Sequence, residues 1–357
     1  MAKTPASPLP RAAVVYHPRK TNLAALRDAV DRHESQAGWA PTLWHATEAE
    51  DAGAGATRRA LDEGASVVLA SGGDGTVRAV AEVLRGTGVP LAVVPQGTGN
   101  LLARNIGMQL GDLDEAARAA FRGVNRPIDL GVITIIRPGD AGAGGTASDE
   151  AAFDEAAAGA VSAAETETEH VFLVLAGMGL DARTITATSS KLKKWVGWLA
   201  YVDAGVRTMA TQSPLRIHYS VDGRPAKPLT VFTVMIGNCG LMPGGVLLIP
   251  DAQLDDGLLD VVALRPLGPF SWLRIWHKIG WENGVLRRTK AGRRMIDLVN
   301  DTRSVTYLRT GRFALSVDHP ESIQLDGEDF GLALAASGRV DPGALVLRVL
   351  PGWTRAV

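Results

Sequence analysis

The stretch that decides the fold is Ser71–Val80, SGGDGTVRAV, where three glycines, an aspartate and a threonine lie between an apolar run and a helical pattern. The preceding run, Ser66–Ala70 (SVVLA), is short and β-branched, which predicts a buried strand. Apolar spacing over Val77–Leu84 predicts a helix, with Thr76 or Asp74 as its cap. Glycines let a backbone approach a ligand closely, and a helix start favours an anion. The stretch therefore predicts a phosphate site.

A second loop repeats this arrangement further along the chain. Leu91–Val94 is another apolar run, and the loop Pro95–Asn100 (PQGTGN) follows it before a leucine-rich helix start. A single glycine-rich turn is more often a structural tight turn than a binding loop. Two such loops after neighbouring strands would lie together at the carboxyl edge of one sheet, where open α/β sheets bind ligands. The pair is therefore the stronger signal.

Composition excludes several classes of protein. The 357 residues leave room for two domains, and 37 basic against 38 acidic side chains give no charge that favours nucleic acid. One cysteine, Cys239, excludes an internal disulfide and is expected to be a core residue rather than a nucleophile. We expect no signal peptide and no transmembrane segment, since no apolar run approaches about 18 residues. These features predict a cytoplasmic protein.

Residues 11–127 alternate between strand and helix patterns, after a flexible N-terminus over residues 1–10. Such alternation predicts a mostly parallel sheet with helices on both faces. The predicted strands are 12–16, 42–45, 66–70 and 91–94, and the predicted helices are 23–32, 57–63, 77–84 and 113–122.

Residues 128–350 change in character toward antiparallel strands with added helices. We expect the tail, residues 351–357, to return toward the first domain. Within this region, residues 138–169 carry eight acidic and no basic side chains and few large apolar ones, which predicts a disordered insertion in a β-hairpin. The predicted strands are 128–136, 171–176, 215–221, 230–237, 258–264, 304–308, 313–317 and 322–325, with helices over 192–209 and 270–286.

Several stretches, taken in order, carry a resemblance to a known family. They are SGGDGTV and PQGTGN in the first domain, and LAGMGLDA (175–182), IGNCGLMPGG (236–245), IPDAQLDDGLLDVV (249–262) and IQLDGE (323–328) in the second. Together they resemble the diacylglycerol kinase catalytic family of bacterial lipid kinases, sphingosine kinases and ceramide kinases. NAD kinases and phosphofructokinases carry similar first loops, so an NAD kinase-like enzyme is a second hypothesis, disfavoured by the order of the later stretches.

The resemblance implies a fold and an activity. The fold is an α/β domain, as in NAD kinases and diacylglycerol kinases, followed by a mainly antiparallel β-sandwich. The activity is transfer of a phosphoryl group from ATP, with Mg²⁺, to a lipid hydroxyl in the cleft between the domains. Glu328 in LDGE is implied as the general base. The alternative for Glu328 is an ordinary turn glutamate beside a hairpin Asp-Gly pair.

The resemblance also implies residues that bind nucleotide. Asp74 has two possible roles, holding magnesium through water or capping the helix, and we favour the first. For Thr47 the alternative is a simple helix cap. No Walker-type phosphate loop occurs in the chain. The implied nucleotide-binding residues are Arg19, Thr21, Thr47, Gly72, Gly73, Asp74, Gly75, Thr76, Val77, Gly97 and Thr98.

A structural magnesium site is implied at the stretch from Gln253 to Leu258. Its ligands would be the side chain of Asp256 and the backbone carbonyls of Gln253 and Leu258, and hard oxygen ligands suit magnesium. The alternative is an ordinary acidic turn, since Asp251 and Asp255 lie in the same stretch.

The chain departs from the family pattern at three positions: His17, Ala79 and Leu101. These departures motivate a third hypothesis, a catalytically silent nucleotide- or lipid-binding module. Nearby basic side chains, Lys20 among them, could add positive charge beside the phosphates.

The lipid substrate would be met at a membrane surface. Five of the eight tryptophans lie beside basic clusters in two stretches, Lys191–Tyr201 and Phe270–Met295. This makeup is typical of an interfacial helix, although aromatic residues facing the core with a solvated basic face explain it equally well. A homodimer is left open.

Overall fold

The computed structural model describes residues 9–138, 166–179, 214–242, 246–249, 252–265 and 305–352. The chain divides into two compact units, Met1–Leu130 with Pro342–Val357, and Gly131–Asp341. In the described part, no helix is both long and apolar enough to cross a bilayer.

The first unit is an α/β domain. Its strands β1 to β4 are all parallel and lie in the order β2-β1-β3-β4. Its elements are β1 (Arg11–Tyr16), α1 (Leu23–Ala37), β2 (Ala40–Ala46), α2 (Ala54–Asp62), β3 (Val67–Gly72), α3 (Asp74–Leu84), β4 (Leu91–Pro95), α4 (Leu101–Asn105) and α5 (Leu113–Arg122).

Apolar side chains explain this arrangement. Every residue of β3 and β4 is buried, as expected for parallel strands covered on both faces. Helices α1 and α5 pack against one face, in a core that includes Leu26, Leu69 and Phe121. The strand order reverses direction between β1 and β3. Open α/β sheets bind ligands outside the carboxyl ends of strands at such a reversal, and the glycine-rich stretch follows β3 there.

The second unit is a mainly antiparallel β-sandwich domain. Its described strands run in the order β14-β13-β10-β7-β15-β16, with β8 paired to β15 and β9 to β8. A core that includes Phe172, Ile236 and Leu325 fills its interior. Strand β5 begins in the first unit and continues into the second. The described strands from β5 onward are β5 (Val124–Arg137), β6 (Thr166–Phe172), β7 (Leu175–Met178), β8 (Leu215–Val221), β9 (Lys227–Val231), β10 (Thr233–Gly237), β11 (Leu241–Met242), β12 (Val246–Leu247), β13 (Leu259–Leu264), β14 (Val305–Thr310), β15 (Arg312–Leu325) and β16 (Glu328–Val349).

The end of β16 belongs to the first unit. Leu347 pairs with Leu91 of β4 in parallel register, and the Gly343 amide donates to the Asp129 carboxylate at 2.8 Å. The sequence placed residues 342–350 in the second domain, whereas in the structure they group with the first compact unit. The reason is that β16 is long enough to leave the second unit and add a strand beside β4.

Other expectations differ from the structure in detail. Strand β6 begins at Thr166, so residues 166–169 pair with β5 instead of belonging to the acidic insertion. Helix α3 begins at Asp74 with Gly73 as its N-cap, so neither Asp74 nor Thr76 caps it. The sequence predicted no strand over residues 328–349. Residues 139–165 and both predicted helices with tryptophans lie outside the described residues.

Candidate functional site

The loops after β3 and β4 lie in contact. The Gln96 amide donates to the Gly72 carbonyl at 2.9 Å. A Cβ atom at Gly97 would lie 2.6 Å from the Gly73 Cα, so the two backbones approach more closely than any side chain permits. The two loops that the sequence predicted as neighbours therefore form one interlocked surface, and the glycines are what allows it.

Asp74 joins the two loops. Its Oδ2 accepts a hydrogen bond from the Asn100 amide at 2.9 Å, and its Oδ1 accepts one from the Leu101 amide at 2.5 Å. A Cβ atom at Gly99 would lie 2.5 Å from Oδ2, so glycine is needed there to admit the carboxylate. Asp74 thus supplies a negative charge to the start of α4, a favourable place for an anion. These two hydrogen bonds are those of a side chain that caps α4.

Asn100 closes the second loop, and the sequence did not predict this role. Its Oδ1 accepts from the Gly97 amide at 2.9 Å, and its Nδ2 donates to the Gly97 carbonyl at 2.8 Å. Its φ of 47° lies in the left-handed region, which asparagine tolerates better than most residues. Arg104 adds a bond from Nε to the Gly99 carbonyl at 2.7 Å. An asparagine that ends a glycine-rich loop is the signal that could have identified it.

The start of α3 presents backbone donors. Its N-cap, Gly73, has no side chain that could accept a bond from these donors. The Val77 amide donates to the Gly73 carbonyl at 3.1 Å, and Val77 is buried, so Val77 serves the helix itself. The amides of Asp74, Gly75 and Thr76 belong to the first turn, where a helix offers no acceptor of its own. These three amides are the part of the loop suited to a phosphate.

Packing explains why glycine stands at position 72 and threonine at position 76. A Cβ atom at Gly72 would lie 2.6 Å from the Thr76 Cβ, and Thr76 is only 5% exposed. The threonine side chain therefore fills the space over the glycine. This contact fixes the turn from β3 into α3.

The loop after β1 completes this edge of the sheet. The Thr21 hydroxyl donates to the Ser71 carbonyl at 3.1 Å, and the His17 amide donates to the same carbonyl at 2.8 Å. Thr21 is buried, so its hydroxyl holds this loop to the end of β3. Lys20 is exposed, and its Nζ lies 3.4 Å from the Cβ position of Gly73. The loop therefore brings an ammonium group to the start of α3.

Three further predicted residues occupy different environments. The Arg19 amide donates to His17 Nδ1 at 3.2 Å, and Arg19 is exposed. Thr47 is buried after β2, and its methyl group would lie 2.9 Å from a Cβ atom at Gly53, so its side chain packs against that glycine. Thr98 is exposed in the second loop.

Glu328 lies in the second unit, at the first position of β16. The residues before it form a two-residue turn, with φ values of 50° at Asp326 and 83° at Gly327, and Leu325 pairs with Glu328 across it. Two positive φ values are typical of the type I′ hairpin turn that Asp-Gly favours. Glu328 is partly exposed beside this turn.

Asp326 fixes the position of that turn. It is only 3% exposed, and its carboxylate accepts bonds from the amides of Leu173, Val174 and Leu175 at 2.8, 2.8 and 3.0 Å. A buried carboxylate needs such donors to offset the loss of water. The turn is therefore anchored to the bend between β6 and β7, and Asp326 has a structural role.

Cys239 lies near this anchor. It is buried, and burial raises the pKa of its thiol well above the usual range, with a further increase from the Asp326 carboxylate. The prediction of a core cysteine is confirmed by this burial. Because the thiolate is the reactive form, a raised pKa also disfavours reaction at this thiol.

The predicted magnesium ligands share one loop before β13. Asp256 Oδ1 accepts a bond from the Leu258 amide at 3.1 Å, and its Oδ2 is hydrogen bonded to the guanidinium of Arg309. Gln253 and Leu258 are partly exposed. Within the described residues, no group of three or more His, Cys, Asp or Glu side chains is placed to hold a metal ion. The Asp256 carboxylate, expected to bind magnesium, is instead paired with the positively charged Arg309. This arrangement does not fit a cation site.

The fold and these loops define a class: an α/β domain with paired glycine-rich loops, followed by an antiparallel β-sandwich. Residues 11–133 match the "Diacylglycerol kinase catalytic domain", and residues 174–349 match the "YegS C-terminal NAD kinase beta sandwich-like domain". The chain therefore belongs to the diacylglycerol kinase-like lipid kinase family, as the sequence motifs predicted.

Relatives cover most of the chain. The "Diacylglycerol kinase" of Bacillus subtilis is 27% identical over 90% of this chain and 91% of its own length. The "Probable lipid kinase YegS-like" protein of Pseudomonas putida is 30% identical over 71% of this chain and 74% of its own. A crystal structure of a diacylglycerol kinase from Bacillus anthracis aligns over 98% of this chain and 100% of that one, with a TM-score of 0.61 and 15% identity. At that identity the structural match supports the fold.

Proposed function

We propose that the protein is an ATP-dependent lipid kinase that transfers the γ-phosphoryl group to a hydroxyl of a lipid such as diacylglycerol or a sphingoid base. The observation that carries the proposal is the interlocked pair of glycine-rich loops at the strand-order reversal, in a chain of the lipid kinase family. Phosphoryl transfer depends mainly on positioning and on electrostatic stabilisation of the phosphates. The loops at this edge of the sheet supply backbone amides that can position the phosphates, and the Lys20 ammonium can stabilise their charge.

The nucleotide phosphates would bind at the start of α3. The amides of Asp74, Gly75 and Thr76 would donate to phosphate oxygens, and the Lys20 ammonium beside Gly73 would offset their charge. Thr98, exposed in the adjoining loop, would contact the nucleotide. Asp74 would be a positioning residue, whose carboxylate holds the second glycine-rich loop against the first.

Glu328 would accept the proton of the lipid hydroxyl. As the oxygen–phosphorus bond to the lipid forms, the bond to the ADP leaving group breaks and the hydroxyl proton passes to the carboxylate. The support for this role is a partly exposed carboxylate on a turn that Asp326 holds rigidly. Mg²⁺ bound to the nucleotide phosphates would neutralise their charge. The carboxylates of Asp74 and Asp256 are already bonded to protein groups, so we do not assign them as ligands of that ion.

The lipid would be met at the cytoplasmic face of a membrane, with the protein bound peripherally. The support is the two tryptophan-rich basic stretches in the sequence, Lys191–Tyr201 and Phe270–Met295. Two copies of the chain could assemble there as a homodimer.

The test is phosphorylation of a total lipid extract in detergent micelles with γ-labelled ATP and magnesium. A labelled lipid product supports the proposal and identifies the acceptor class by its chromatographic mobility. Labelled NADP from NAD in place of lipid would indicate an NAD kinase-like enzyme. ATP binding without transfer to any lipid would indicate a silent binding module. Heat-denatured protein is the inactive control, and Glu328→Gln is assayed beside wild type as the test of the general base.

A further inference from the structure

Arg309 connects two acidic residues that are close in sequence. In the antiparallel register of β13 and β14, Arg309 lies directly opposite Asp260. Its Nε is 3.4 Å from Asp260 Oδ1, and its terminal Nη2 is paired with Asp256 Oδ2. One guanidinium thus joins the loop before β13 to the sheet itself.

We propose that Arg309 replaces a divalent cation in holding the loop from Gln253 to Leu258. A cation in this loop would depend on Asp256, because the other two expected ligands are neutral carbonyls. One oxygen of that carboxylate accepts the Leu258 amide, and the other is paired with Arg309. A magnesium ion would have to displace the guanidinium or bind beside its positive charge.

Burial supports a permanent charge at this position. The Asp260 side chain is 7% exposed and the Asp256 side chain 19% exposed, so both carboxylates need a counter-charge. Arginine remains protonated at any physiological pH, and its planar fork of donors can serve two carboxylates at once. A small ion bound to Asp256 would neutralise that carboxylate alone, whereas the single guanidinium of Arg309 faces both carboxylates. The loop is therefore held by a covalent part of the chain, whatever the magnesium concentration.

The test uses the full chain without nucleotide and measures two properties. The first is binding of Mn²⁺, followed by the electron paramagnetic resonance signal of the free ion, in wild type and Asp256→Asn. The second is the melting temperature in EDTA and in excess Mg²⁺, in wild type, Arg309→Gln and the double variant Asp256→Asn with Arg309→Gln. Arg216→Gln, which changes an exposed arginine of β8, is the matched control.

We expect wild type to show equal melting temperatures in EDTA and in Mg²⁺, and no Mn²⁺ binding that Asp256→Asn removes. Arg309→Gln should melt lower in EDTA and regain part of the loss in Mg²⁺, because the Asp256 carboxylate, without the guanidinium, then accepts a metal ion. The double variant should lose that recovery, and Arg216→Gln should behave as wild type.

Two results would overturn the proposal. One is a wild-type Mn²⁺ site that disappears in Asp256→Asn, together with a lower melting temperature in EDTA. The other is an Arg309→Gln protein that melts as wild type does in both buffers. If Arg309→Gln does not fold, the wild-type Mn²⁺ measurement decides the matter without it. None of these readouts depends on kinase activity, so they are independent of the proposed function.

Discussion

Replacing Asp74 with alanine should loosen the second glycine-rich loop and destabilise the first unit even when no metal or nucleotide is present. The structure gives the carboxylate two backbone donors, the amides of Asn100 and Leu101, at 2.9 and 2.5 Å. Both amides lie at the start of α4, so the variant removes the cap of that helix and the link between the loops. A carboxylate that served only to hold magnesium would leave stability in EDTA unchanged.

The expected loss follows from those two bonds. Hydrogen bonds to charged groups contribute about 1.5–3 kcal/mol each, and water entering this partly exposed site should recover some of that energy. We therefore expect Asp74→Ala to lower the free energy of unfolding by about 2–4 kcal/mol. For a unit of this size, each kcal/mol shifts the melting temperature by about 2–4 °C, which gives about 4–16 °C.

The assay is thermal unfolding in EDTA, combined with calorimetric measurement of ATP affinity. Asp112→Ala is the matched control, because the Asp112 carboxylate caps α5 through the Glu115 amide at 2.8 Å, away from the loops. It should cost about 1 kcal/mol and leave ATP affinity unchanged. An Asp74→Ala protein with a wild-type melting temperature in EDTA would refute this reasoning and return Asp74 to a metal-binding role.

Three further outcomes are expected. Gly97→Ala should lower the free energy of unfolding by about 1–3 kcal/mol and weaken ATP binding, because the added methyl group meets the Gly73 backbone. The control is Gly177→Ala, whose added methyl group would have no neighbour closer than 3.8 Å. Equal ATP affinity in the two variants would contradict this prediction. Glu328→Gln should lower turnover by about 10²–10⁴-fold with little change in ATP affinity, and wild-type turnover would exclude it as the base. Cys239 should resist a thiol reagent at pH 8 in the native protein and react after denaturation, because burial raises the pKa of its thiol; rapid native labelling would contradict the buried position.

Periodic apolar patterns predicted most of the fold. Strands β1 to β4 and the helices between them were each predicted near their observed positions. For β1, β3 and β4 the reason is that parallel strands buried on both faces read as short, continuous apolar runs. Strand β16 was missed. Its burial pattern is irregular, and it crosses from one unit to the other, so neither periodicity nor a single sheet face marks it in the sequence.

From the sequence by itself came the two glycine-rich loops, through their residue types between strand and helix patterns, and the class of protein, through the resemblance that the motifs of both domains carry in order. The Asp-Gly pair before Glu328 likewise determined a hairpin turn, through the positive φ that both positions adopt. Only the tertiary structure decided which partner each carboxylate takes. Asp74 bonds residues 26 and 27 positions away, and Asp256 pairs with an arginine 53 positions away. Such pairings join residues that are far apart in the sequence and meet only when strands and loops pack together. Local sequence patterns do not encode these contacts.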